Sequence, residues 1–131
     1  MSDWTDFGMR EMVLNILAEN VGSEEHPLGN AFMTAHQLAI VLKDKHHQLF
    51  DRLGLPIGGK ETGEKPSLAS YLARQLSQAI KKGDPDIEGG FLSSTHLQQL
   101  SFLDKADAVV SSMTSTDRGV SLFRLKVKRV S

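Results

Sequence analysis

Two amphipathic segments, 34–53 and 67–82, each open on a capping residue and close on a glycine, and they constrain this chain more than any other feature. Thr34 and Gln37 fit the T-x-x-Q capping box, in which hydroxyl and amide each satisfy a backbone N–H that a first helical turn leaves free. Leu38, Val41, Leu42, Leu49, Phe50 and Leu53 then recur at helical spacing, and Gly54 and Pro56 end the run. In the second segment Pro66 restricts the entry and Ser67 is the N-cap. Leu68, Leu72, Leu76, Ala79 and Ile80 line one face, with Ala69 and Ala73 small enough for close approach of a neighbouring helix. Lys81 and Lys82 fall in the last turn, where the helix dipole favours cations, and Gly83 stops it.

A helix pair of this size needs cover, and the flanks supply it. Residues 3–21 read as a first helix closed by Gly22. Its apolar arc is wider than one stripe, because Met9, Val13, Ile16 and Leu17 share a face while Phe7 and Leu14 lie well round from it. Such a helix is covered on two sides, which implies a homodimer unless the C-terminal segment wraps it completely. Residues 22–33 and DPDIEGG (84–90) read as loop and turn by their Gly, Pro and acid content, with Ala31 to Thr34 also readable as a short extended segment. Thr95 and Gln98 repeat the capping box and imply a short fourth helix with Leu97, Leu100 and Leu103 inward.

The period then changes from helical to two. ADAVVSSM (106–113) and GVSLFRLKVKRV (119–130) read as two strands around a turn at 114–119. Phe123, Leu125 and Val127 alternate there with Arg124, Lys126 and Lys128, so one face is apolar and the other basic. The fold class expected is mainly α with a small C-terminal β-hairpin. With 131 residues, 40% of them hydrophobic, the chain has material for one core, so 1–131 is read as a single domain.

Charge and composition narrow the chemistry. Cysteine is absent, which excludes disulfides, thiolate zinc sites and cysteine nucleophiles. No run approaches the roughly 20 apolar residues of a membrane span. The acidic start MSDWTDFGMREM is no signal peptide either, so a cytoplasmic protein with no membrane partner is expected. The net charge of −1 hides an asymmetry: residues 1–30 carry −5 and residues 118–131 carry +5. Between Ser67 and Lys82 no acid occurs, and the outer face of that helix presents Ser70, Tyr71, Arg74, Gln75, Gln78 and Lys81. These side chains donate to phosphates and base edges, although ordinary solvated helix faces carry them too.

Enzyme signals are weak. Gly54-x-x-x-x-Gly59-Lys60 approaches a phosphate-cradling loop, but Glu61 stands where a hydroxyl is needed and the segment follows a helix rather than a strand. There is no G-x-S-x-G elbow. Adjacent His46 and His47 point about 100° apart on a helix. Asp44, His47 and Asp51 share helical spacing, which reads more simply as a charged exposed face than as a metal site. No catalytic residue, metal or cofactor is therefore assigned.

The order of elements resembles the winged-helix variant of the helix-turn-helix family: a first helix, a capped second helix (TAHQLAIVL), a third helix with a polar outer face, and a two-stranded wing. The chain is also similar to small bacterial proteins carried on mobile elements such as integron gene cassettes. The winged-helix resemblance implies a helical DNA-binding domain in which the third helix reads the major groove through Ser70, Tyr71, Arg74, Gln75 and Gln78, beside Lys81. It further implies phosphate contacts from Arg118, Arg124, Lys126 and Lys128 on the wing. The connection of about 12 residues between helices two and three departs from the compact turn usual in that family, as does the extra helix before the wing. The function expected is a non-catalytic DNA-binding accessory or regulator. The competing classes are a protein-interaction module acting through the first helix and residues 54–66, and a small-molecule binder with the glycine-rich loop as a lid.

Overall fold

The computed structural model describes residues 3–22, 26–58, 67–97, 100–105, 107–110 and 120–126. The expectation of a mainly α, winged-helix-like helical domain with one small hairpin is corrected: the fold is α+β, with a three-stranded and a two-stranded antiparallel sheet. Five helices are described, α1 (Asp3–Asp6), α2 (Met9–Glu19), α3 (Ala35–Lys45), α4 (His47–Leu53) and α5 (Leu68–Lys81). The strands are β1 (Met33–Thr34), β2 (Ile87–Leu92), β3 (Ser101–Asp104), β4 (Asp107–Val110) and β5 (Val120–Leu125).

Local chemistry places the helices close to where the sequence puts them. The Thr34 box forms: its hydroxyl accepts from Gln37 N–H at 3.2 Å, and the Gln37 amide oxygen accepts from Thr34 N–H at 2.8 Å. Ser67 caps α5 in the same way with Ser70. Two further N–H groups of that helix start, from Leu68 and Ala69, donate to the carbonyls of Pro56 and Ile57 at 2.7 and 2.9 Å. The long second helix is nevertheless two, broken at His46. Residues 43–48, KDKHHQ, offer no apolar side chain to hold a continuous helix against the core. The first helix also breaks, at Gly8, whose φ of 62° costs glycine little and would strain other residues.

The strands depart further from expectation. Ile87–Leu92 pairs along its whole length with β5, so the glycine-rich stretch read as a turn is a strand. Its glycine at 89 lies close under α5, where a Cβ would stand 2.9 Å from Ile80 Cδ1 and the end of that side chain would have to shift. No fourth helix starts at Thr95. The Ser93 hydroxyl donates to the Thr95 hydroxyl and accepts the Thr95 N–H, His96 turns the chain with φ 58°, and Ser101–Asp104 is extended. Of the expected 106–113 strand, the described residues Asp107–Val110 pair with β3, Ser101 facing Val110 and Asp104 facing Asp107, while 106 and 111–113 and the expected turn at 114–119 lie outside the described residues.

The sheet order β1-β5-β2 puts β5 in the centre. Phe123 and Leu125 point inward from it to join Ile87, Met33, Leu38, Leu42, Leu72 and Leu76 in one core. Met9, Val13, Leu14, Ile16 and Leu17 of α2 are at most 1% exposed within a single chain, so the wide apolar arc is filled internally. This helix therefore presents none of those five side chains to a second subunit. Among the described residues no helix is long and apolar enough to cross a membrane.

Two polar ties fix the periphery. Arg10 on α2 forks onto Asp84, with Nε to Oδ2 and Nη2 to Oδ1 both 3.0 Å, and also reaches Asp86 at 2.7 Å. The guanidinium holds the Asp84 carboxyl below its ordinary range. Asp84 in turn accepts the N–H groups of Asp86 and Ile87, which starts β2. On the other side Lys43 of α3 donates to Asp104 at 2.8 Å, and His36 stacks on Phe102 with ring centroids 5.1 Å apart, so the β3–β4 hairpin rests on α3.

Arg10→Ala should cost about 2 kcal/mol in a urea titration at neutral pH, because it strands a carboxylate whose side chain is 6% exposed. Burial lowers the His36 pKa, so the folded state resists a proton that the unfolded chain accepts. Stability from this site is full above the ordinary histidine range and is lost as pH falls through it. Urea midpoints from pH 7.5 to about 5.5 should therefore decline, and His36→Phe, which keeps the stacked ring, should flatten that decline.

Candidate nucleic-acid interface

Helical geometry decides which polar residues of α5 are available. Ser70, Arg74, Ser77, Gln78 and Lys81 lie on one exposed stripe opposite Leu68, Leu72 and Leu76. From residue 70 to residue 81 that stripe runs about 16 Å. Arg74, Lys81 and the adjacent Lys82 make no ion pair among the described residues, and the acids nearest in sequence, Asp84 and Asp86, are engaged by Arg10. Among the described residues the stripe is thus positively charged and unneutralised.

Three of the expected reading residues have other work or a different position. The Ser70 hydroxyl donates to the Ser67 carbonyl at 2.9 Å and accepts the Ser67 N–H at 3.2 Å, so it closes the helix start. The Tyr71 hydroxyl accepts the Trp4 N–H at 2.9 Å, and its ring packs on the core. Gln75 is half-buried at the margin of the stripe. Arg74, Gln78 and Lys81 remain exposed, and Lys82 joins them although sequence spacing alone did not assign it a contact.

The basic strand face divides similarly. Arg124 points outward as expected, but its Nε donates to Glu88 at 2.7 Å and its Nη1 to the carbonyls of Leu28 and Asn30 at 2.9 and 3.2 Å. Its guanidinium also lies 4.3 Å from the Phe32 ring centroid. Arg124 therefore clamps residues 28–32 to the sheet, and its charge is balanced by its cross-strand neighbour. Lys126 is exposed just past the end of β5. Arg118 and Lys128 lie outside the described residues, as do Gly59 and Lys60 of the glycine-rich connection.

Beside this clamp lies a cleft of about 250 Å³ walled by Val21, Leu28, Ala31, Phe32 and Arg124, and Asn30 lines it too. It stands beside β5, which contributes Arg124 to its wall. Asp44 and His47 fall on different helices because of the break at His46, and among the described residues no three His, Asp or Glu side chains are grouped to hold a metal ion. Sequence reasoning also missed the exposed apolar side chains of Phe91 and Leu92, and Leu103, expected to face inward on a helix, is exposed on β3 instead. The first two come directly after the DPDIEGG stretch that reads as a turn, and the FL pair behind a Gly-Gly step was the available signal.

Comparison with protein-family models, with curated proteins and with solved structures finds no match.

Arg124→Ala should lower the urea midpoint and speed amide hydrogen exchange across residues 28–32. If the clamp is its whole role, the slope of any DNA affinity against log salt should change by less than the roughly 0.9 expected for one phosphate contact.

Proposed function

We propose that this chain is a non-catalytic DNA-binding accessory or regulator that presents α5 to the major groove. The observation that carries the reading is the acid-free stripe of Arg74, Gln78 and Lys81, with Lys82 beside it, exposed and without an ion-pair partner among the described residues, on a helix capped at its start. A major groove about 12 Å wide admits one helix. Arg74, Lys81 and Lys82 would neutralise phosphates or reach guanine edges, and Gln78 has the amide geometry for adenine. In the chain α5 is followed by the antiparallel strand pair β2–β5. Lys126, at the end of that strand pair, is the described cation placed to add a phosphate contact.

A second reading rests on a different observation. Leu28, Phe91 and Leu103 are 76%, 71% and 75% exposed, which is surface a protein partner would cover. Fluorescence anisotropy with a generic duplex across a salt series separates the two. DNA binding predicts affinity falling steeply with salt, and a slope reduced by about 0.9 for each true phosphate contact removed in Arg74→Ala, Lys81→Ala and Lys82→Ala. Absence of binding at low salt removes the nucleic-acid reading and leaves the protein-interaction module.

A further inference from the structure

Among the described residues the sheet ends on an open edge. Strand β5 is central, β1 lies on one side of it and β2 on the other, so nothing described pairs with the outer flank of β2. The Lys126 N–H donates to the Asp86 carbonyl at 2.9 Å, which fixes the alternation of the antiparallel ladder: Glu88, Gly90 and Leu92 direct their N–H and C=O groups at β5. Ile87, Gly89 and Phe91 direct theirs outward. The Asn30 Nδ2 bond to the Leu125 carbonyl, 2.8 Å on the opposite side of β5, obeys the same alternation. The Ile87 N–H is already taken by Asp84 at 3.2 Å. Among the described residues nothing hydrogen-bonds the outward N–H and C=O groups of Gly89 and Phe91.

Native edge strands are usually blunted by charge, proline, bulges or brevity. β2 has six residues in unbroken register, no proline and one charge, Glu88, which is paired with Arg124. At its outer half stand two glycines, which leave the backbone unshielded, and then Phe91 at 71% and Leu92 at 41% exposure. These are the features of a strand that is completed by another.

The geometry points to a second copy of this chain as the occupant, with β2 paired antiparallel to β2 of the partner about a twofold axis through Gly90. In that register Gly89 faces Phe91 of the partner and Phe91 faces Gly89 of the partner, so all the free donors and acceptors of both residues are matched by four hydrogen bonds. Centring the axis on Gly89 instead would pair Phe91 with Ile87 of the partner, whose N–H is already engaged by Asp84. The side chains agree. Gly89 is on the core face, with Ile80 of α5 against it, and each Phe91 would lie across a partner glycine and over that isoleucine, the arrangement by which an aromatic ring covers a strand glycine. The two Glu88 carboxylates would stand four residues out of register, about 13 Å apart, so like charges do not oppose each other. Paired residues keep the same face, so the product is one six-stranded sheet with both α5 helices on one side.

Sedimentation equilibrium of the full chain over a concentration series, with amide exchange read at the same concentrations, tests this independently of what α5 binds. The expected result is a reversible dimer in which Gly89 and Phe91 amides exchange about tenfold or more slowly when concentrated than when dilute. Phe91→Lys should give a monomer with an unchanged circular dichroism spectrum, because the side chain is exposed in the single chain. Phe91→Pro, which deletes an outward N–H only, should do the same. A monomer at every concentration overturns the proposal. So does a dimer that survives both substitutions, or one whose Gly89 and Phe91 amides exchange freely; protection of those amides only by an added extended peptide assigns the edge to a foreign strand instead.

Discussion

Strand β5 is the element on which the rest of the sheet depends. β1 and β2 each pair with it and not with each other, so removing β5 would leave both with unsatisfied backbone donors and acceptors. The same six residues deliver Phe123 and Leu125, 2% and 1% exposed, into the space between α2, α3 and α5. Between those inward side chains Arg124 faces outward and gathers Glu88, Phe32 and the carbonyls of residues 28 and 30. One strand thus closes the core on one face and fastens the loop on the other. Even the short β1 side is extended by a side chain, since Asn30 supplies the donor that the Leu125 carbonyl would otherwise lack.

Charge and available charge are different quantities in this protein. The C-terminal region is the most basic part of the chain, yet its one described strand arginine is consumed by a carboxylate and two carbonyls. The helix α5 carries fewer cations but leaves them unpaired among the described residues, where the acids just beyond its end are drawn off by Arg10. An ion pair formed elsewhere therefore preserves the positive stripe. Rigid capping at the start of α5, from Ser67 and the carbonyls of Pro56 and Ile57, places that stripe on a defined element rather than a loop.

Asp84 connects the two surfaces. Through Arg10 it joins α2 to the turn after α5, and through the Asp86 and Ile87 N–H groups it sets where β2 begins. It also ends the free edge of β2, since the outermost N–H on that flank is already used. The register available to a second strand is set by a carboxylate whose main task is to hold the helices to the sheet.

Much of the helical half was legible in the sequence because its determinants are local. A capping side chain, an apolar stripe and a terminal glycine act within one or two turns, and the caps at Thr34 and Ser67 form as read. The same local rule failed at Thr95, where Ser93 competes for the hydroxyl and the extended Phe102 and Asp104 find partners on α3. Exposed Arg74, Gln78 and Lys81 were likewise readable from helical phase, whereas the fates of Tyr71 and Arg124 depended on Trp4, Glu88 and residues 28–32, distant in sequence. By itself the sequence determined where helices begin and which side of α5 is polar. Only the tertiary structure decided strand pairing and the freedom of each charge, because a glycine-rich segment becomes a strand only when β5 supplies its hydrogen bonds and Ile80 fills the place of its missing side chain.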